Sequence, residues 1–152
     1  MNTLSNNSPS LSNDLIFGLG KEEAVLNVLN KCVSKKIKKA EKRSAIMDYY
    51  KEKNGKLFKQ YEVKSRRVSS KAYEDYGFGK NKFDYACNQL TKGIKQAFLF
   101  NLTDGLWKWE LTDPEKQKHE YRIGTICNYV RGDREWKPAV FVPLKYCVKF
   151  DE

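Results

Sequence analysis

The chain has no run of about 18 apolar residues, the length a helix needs to cross a bilayer, and no basic-then-apolar leader of the kind that directs secretion. These absences predict an intracellular protein without a membrane partner. Imidazole is nearly missing, with His119 alone, and the four cysteines Cys32, Cys87, Cys127 and Cys147 include no C-x-x-C pair. A zinc site therefore lacks ligands at workable spacing, and the cysteines, each among apolar neighbours, are expected as buried free thiols. The G-x-x-x-x-G-K-[ST] loop is absent too, which argues against nucleotide hydrolysis. No internal repeat or interdomain linker breaks the 152 residues, a length that fits one domain around one core.

What the chain has in excess is positive charge: 29 Lys and Arg against 19 Asp and Glu, a net charge of +10. That balance favours polyanionic partners through phosphate contacts and counterion release, with nucleic acid first among them. An acidic protein or an anionic membrane surface would satisfy the same charge. The cations gather in Lys35, Lys36, Lys38, Lys39, Lys42 and Arg43, and again in Arg66 and Arg67. Such runs serve either as solvated faces or as phosphate-holding surfaces.

Periodicity places the elements. Residues 1–13, rich in Ser and Asn, form a disordered or loosely packed lead. Val25, Val28, Leu29 and Cys32 carry helical spacing over residues 21–33 and bring Glu22 to the side of Val25, Leu26 and Leu29. A glutamate in a first turn either complements the helix dipole or faces a site. Residues 44–50 and 56–64 are expected as two strands joined by a turn at Asn54-Gly55, a dipeptide suited to positive φ. Alternation puts Tyr61 and Val63 on one face of the second strand and Glu62 and Lys64 on the other, with Asp48 on the neighbouring strand. A salt-bridged sheet edge would use the same residues.

Farther on, Ser69-Ser70 should cap a short helix over residues 71–76 that Gly77-Phe78-Gly79 breaks. Gly79-Lys80-Asn81-Lys82 leads into a helix over residues 83–92, with Phe83, Ala86, Cys87 and Leu90 inward and a phosphate seat at its N-terminus. Residues 96–103 and 106–111 form a hairpin around Asp104-Gly105, expected as a type I′ turn. Trp107 and Trp109 share a face there, as a stacking platform for bases or, more commonly in strands, as sheet packing. The remainder comprises a polar loop over residues 112–120, a strand or amphipathic segment over 121–130, a turn at Arg131-Gly132-Asp133, a strand over 139–143 and a terminal segment over 146–150.

Asp48, then a hairpin, then Glu62-x-Lys64 resembles the PD-(D/E)XK nuclease superfamily, with Met47 where the family name has proline. The Asn81-Lys82 pair opening the next helix resembles the small viral or phage-type members. The resemblance implies an α/β fold, a mixed central sheet flanked by helices in a restriction-endonuclease-like core, with residues 14–152 as one nuclease-like domain. It implies Mg²⁺, or Mn²⁺ in its place, held by Asp48, Glu62 and the backbone carbonyl of Val63, with Glu22 as a further acidic member and Lys64 acting on the attacking water. It also implies phosphate contacts by Asn81 and Lys82, a role that the charge runs suggest for Lys36, Lys39, Arg66 and Arg67 and the helix start for Lys80. The expected activity is that of a Mg²⁺-dependent DNA endonuclease or resolvase-like phosphodiesterase, for which cutting both strands would call for a homodimer. The superfamily also includes members that do not cleave, so a nucleic-acid-binding module on the same fold is the alternative.

Overall fold

Asn54 and Gly55 both take positive φ, 55° and 75°, and close a tight turn as their side chains favour. In the computed structural model of the protein, residues 38–39, 47–130 and 132–149 are described. The expected lead, the helix over residues 21–33 with Glu22, Lys36, and all of the basic block but Lys38 and Lys39 lie outside them. The turn joins β2 (Tyr49–Lys53) to β3 (Lys56–Ser65), with β1 (Lys38–Lys39) pairing outside β2. Then follow β4 (Asp75–Gly79), α1 (Lys80–Thr91), β5 (Lys95–Leu102), β6 (Gly105–Leu111), β7 (Arg122–Val130), β8 (Asp133–Pro143) and β9 (Val148–Lys149).

Six strands form a mixed sheet in the order β1-β2-β3-β5-β6-β9, and β4-β8-β7 form a second, antiparallel sheet. Only β3 and β5 run parallel, so the chain between them must cross over; it does so through β4 and α1. The protein is therefore mixed α/β and strand-rich. Among the described residues α1 is the one α-helix beside its sheets.

The second sheet packs on the face of the first that carries Phe98, Phe100 and Trp109. Phe78 of β4 stacks on Phe98 with ring centroids 3.9 Å apart, and Phe100 and Trp109 lie at 6.3 Å from the same ring. All four are buried, and each such side chain stabilises the fold by about 1.5–3 kcal/mol. Trp107 and Trp109 do share a face: Trp109 is core and Trp107 packs half-buried against it. From α1, Phe83 and Ala86 join this core, with Cys87 and Leu90 at its margin. Gln89 is buried as well: its Nε2 and that of Gln96 both donate to Gln60 Oε1 at 3.0 Å, while Gln60 Nε2 donates to Tyr85 Oη at 3.1 Å.

Four expectations need correction. The helix over residues 71–76 does not form; a turn leads into β4, because Gly77 acts here as a close-packing residue. A Cβ at Gly77 would stand 2.7 Å from the Phe141 ring across the ladder. The hairpin over residues 96–111 turns at Thr103-Asp104, one residue early and without the positive φ of a type I′ turn, since Leu102 pairs with Gly105. Ser70 holds the turn, donating from N and Oγ to the Asp104 carboxylate. Strand β2 begins at Tyr49 and leaves Asp48 in a bend, and residues 44–46 lie outside the description. Cys87, Cys127 and Cys147 are free but half-buried, not fully buried.

Candidate functional site

The first hairpin pairs Tyr49 with Tyr61, and the bend just before Tyr49 brings the Asp48 carboxyl beside that of Glu62. Asp48 is fastened twice. Its N–H donates to the carbonyl of Tyr61 at 3.0 Å, and its Oδ2 accepts from the N–H of Val63 at 3.0 Å. An extended residue directs its N–H and C=O to the same neighbour, so the Val63 carbonyl faces the strand edge where Asp48 sits.

Glu62 lies beside it, only 2% exposed. Lys64 Nζ stands 3.6 Å from Glu62 Oε2, and Lys82 Nζ, from the first turn of α1, 3.7 Å from Oε1. Both distances are ion-pair contacts too long for hydrogen bonds, and Oε1 is buried without a hydrogen-bond partner. Burial first, and the Asp48 carboxyl second, push Glu62 up to about 7 against the pull of Lys64 and Lys82. A carboxyl group in this state is poorly satisfied by its own protein and would be stabilised by a further cation.

The donors suit a hard divalent ion: two carboxylates, one with an orphaned oxygen, and a backbone carbonyl at one strand edge. Among the described residues no three of His, Cys, Asp and Glu gather. Two carboxylates are nonetheless typical of Mg²⁺, which keeps several waters and takes the rest from a phosphate.

Lys64 and Lys82, the two cations beside Glu62, also line a cleft of about 460 Å³, together with Arg66, Lys137 and, at the start of α1, Asn81 and Gly79. Of the expected site residues, Asp48, Glu62, Val63, Lys64 and Lys82 come together, and Arg66 and Asn81 line the cleft. Lys80 does not, because Asp84 one helical turn on draws it away at 2.9 Å. Arg67 is exposed and also stands outside the lining. Lys39 sits on β1 opposite Tyr49, next to Asp48 along the neighbouring strand. Glu22 and Lys36 fall outside the described residues. Sequence reasoning missed Lys137, with Ile126 and Pro138, which the β7–β8 hairpin delivers to the cleft wall; the Arg131-Gly132-Asp133 turn between β-rich flanks was the available signal.

A second cleft of similar size, beside Lys59, Ile94 and Glu110, lacks this character. Burial works to raise the Glu110 carboxyl, but Lys59 and Lys108, both in contact with it, outweigh that and hold it below its ordinary range. Its charge is met internally. Compared with known proteins, the chain matches no family model and no curated sequence.

Proposed function

We propose that the protein is a Mg²⁺-dependent nuclease that hydrolyses DNA phosphodiester bonds, as an endonuclease or resolvase-like enzyme. The observation that carries this reading is the Asp48 carboxyl beside that of Glu62, with Lys64 and Lys82 both in contact with Glu62 and both lining a cationic cleft. In it, Asp48, Glu62 and the Val63 carbonyl would hold Mg²⁺ or Mn²⁺, and Glu22 is the candidate for a further carboxylate. The ion would supply a bound water of lowered pKa and positive charge against the phosphate. Lys64 orients the attacking water and steadies the negative charge that develops. Lys82, Arg66, Lys137 and Asn81 seat the flanking phosphates, with the opening turn of α1 directing its N–H groups the same way. Lys36, Lys39, Arg67 and Lys80 contribute outer phosphate contacts. A restriction-endonuclease-like core flanked by helices, an intracellular setting, a viral or phage origin and a homodimer for cutting two strands belong to the same proposal.

One observation favours a second reading. Lys64 and Lys82 both stand within 3.7 Å of Glu62, so they could balance it without a metal, as in a nucleic-acid-binding module that does not cut. Incubating wild type and Lys64→Ala with circular, linear and branched DNA, in Mg²⁺ or in EDTA, separates the two. The nuclease reading expects metal-dependent scission, a loss of at least about a hundredfold in Lys64→Ala with binding retained, and incomplete rescue by Lys64→Arg. Binding without scission by wild type with any divalent ion would leave the binding module in its place.

A further inference from the structure

The β7–β8 hairpin pairs without a break from Arg122↔Phe141 to Val130↔Asp133. Its third strand, β4, reaches only from Ala139 to Pro143. The outer part, residues 125–130 against 133–138, is thus a two-stranded ribbon beyond the edge of its sheet, and residues 133–138 are exposed throughout. Its root forms one wall of the cationic cleft through Ile126, Lys137 and Pro138. Alternation along β8 puts Trp136 on the same face as Pro138 and as Val140, which is fully buried against the core. Trp136 is 61% exposed. An indole so placed adds little to folding; Arg134 shares its face, Lys137 beside it is in ion-pair contact with Glu135 at 3.5 Å, and Pro138 of the cleft wall is two residues on along the same face.

We infer that the β7–β8 ribbon is a substrate arm on which Trp136 stacks an unpaired base of a nucleic acid whose phosphate lies in the cleft. The inference rests on the cleft being a nucleic-acid site and adds the substrate class: a single strand, or a duplex with an unpaired segment. Exposed aromatic surface meets the face of any base, and the cleft cations Lys64, Arg66 and Lys82 meet the backbone, the pairing that single-strand recognition requires. A duplex offers no free base faces along its length. A ribbon that instead entered a duplex groove would use Arg134 and Lys137 and gain little from the indole.

The test is equilibrium binding in EDTA, by anisotropy, of an end-labelled oligo(dT) strand and of a fully paired duplex of equal length. Trp136→Ala should weaken binding of the single strand at least about fivefold, leave the duplex within about twofold, and recover most of the loss as Trp136→Phe. Oligo(dT) should quench the tryptophan emission of wild type and not that of Trp136→Phe, since Trp109 is buried and Trp107 half-buried. Unchanged single-strand binding by Trp136→Ala would overturn the inference, as would equal losses for both nucleic acids. The metal-free format separates this outcome from the nuclease reading. A Trp136-dependent protein that never cuts sinks only the nuclease, whereas cleavage lost in Lys64→Ala beside an indifferent Trp136→Ala sinks only the arm.

Discussion

Glu62 offers a way to read the site without any substrate. Its carboxyl lies at about 7 in the folded protein against an ordinary 4.5, chiefly because it is buried and secondly because Asp48 stands beside it. Between those pH values the folded chain holds a proton that the unfolded chain has released, so stability falls as pH rises from about 4.5 through about 7. At about 1.4 kcal/mol per pH unit the difference is about 3 kcal/mol, undiminished by solvent because the residue is 2% exposed. Glu62→Gln keeps the shape and removes the charge. In metal-free urea titrations its stability should match wild type near pH 4, below the unfolded value, and exceed it near pH 8 by about 3 kcal/mol, a midpoint higher by about 1.5 M for an m-value of about 2 kcal/mol/M. Mg²⁺ at about a hundred times its Kd should then return about 2.7 kcal/mol to wild type near pH 8 and nothing to Glu62→Gln or Asp48→Ala. Parallel pH curves for wild type and Glu62→Gln would refute the account of Glu62 as a buried, unsatisfied carboxylate. Equal responses of wild type and Asp48→Ala to the ion would refute the metal site.

Two further outcomes follow from the cleft and the second sheet. Affinity for duplex DNA should fall steeply with salt, and Lys82→Ala and Lys137→Ala should each flatten the log–log slope by about 0.9, measured by anisotropy across a salt series; a slope already near zero in wild type would exclude a phosphate-dominated interface. Gly77→Ala should cost about 1–3 kcal/mol in chemical denaturation, because its Cβ would meet the Phe141 ring at 2.7 Å, and Phe141→Leu in the same chain should return part of the loss.

The first hairpin and the Glu62-x-Lys64 strand were legible because local rules sufficed: Asn54-Gly55 favours positive φ, and a period of two assigns faces. The approach of Asp48 to Glu62 was not legible, because the ladder shifts by one residue between Lys51 and Glu52, an irregularity that the Asn54-Gly55 turn does not encode. Gly77 misled because a glycine that relieves crowding beneath an aromatic ring looks, in one dimension, like a glycine that breaks a helix. Lys80 misled for a related reason, since its choice between the cleft and Asp84 turns on side-chain reach. Lys137 was invisible because it lies more than 50 residues from Lys82 and meets it through the pairing of β8 with β4 and the packing of β8 on α1, long-range contacts that no local pattern encodes.

The amides around Gln60 bear on how the cleft keeps its dimensions. Gln60 and Glu62 are two apart on one strand face, and Gln89 and Lys82 are seven apart, about two turns, on one helix face. The bonds of Gln60 to Gln89 and Tyr85, both on α1, therefore act as a detent between helix and strand: a rotation of α1 by one residue would swing Lys82 about 100° off Glu62 and strand the Gln89 and Gln60 amide donors at once. Aliphatic side chains would tolerate such a slip, whereas the amides admit one setting. The interval between a helix-borne ammonium and a strand-borne carboxylate is thus gauged one strand residue and two helical turns away, by groups that never meet the substrate.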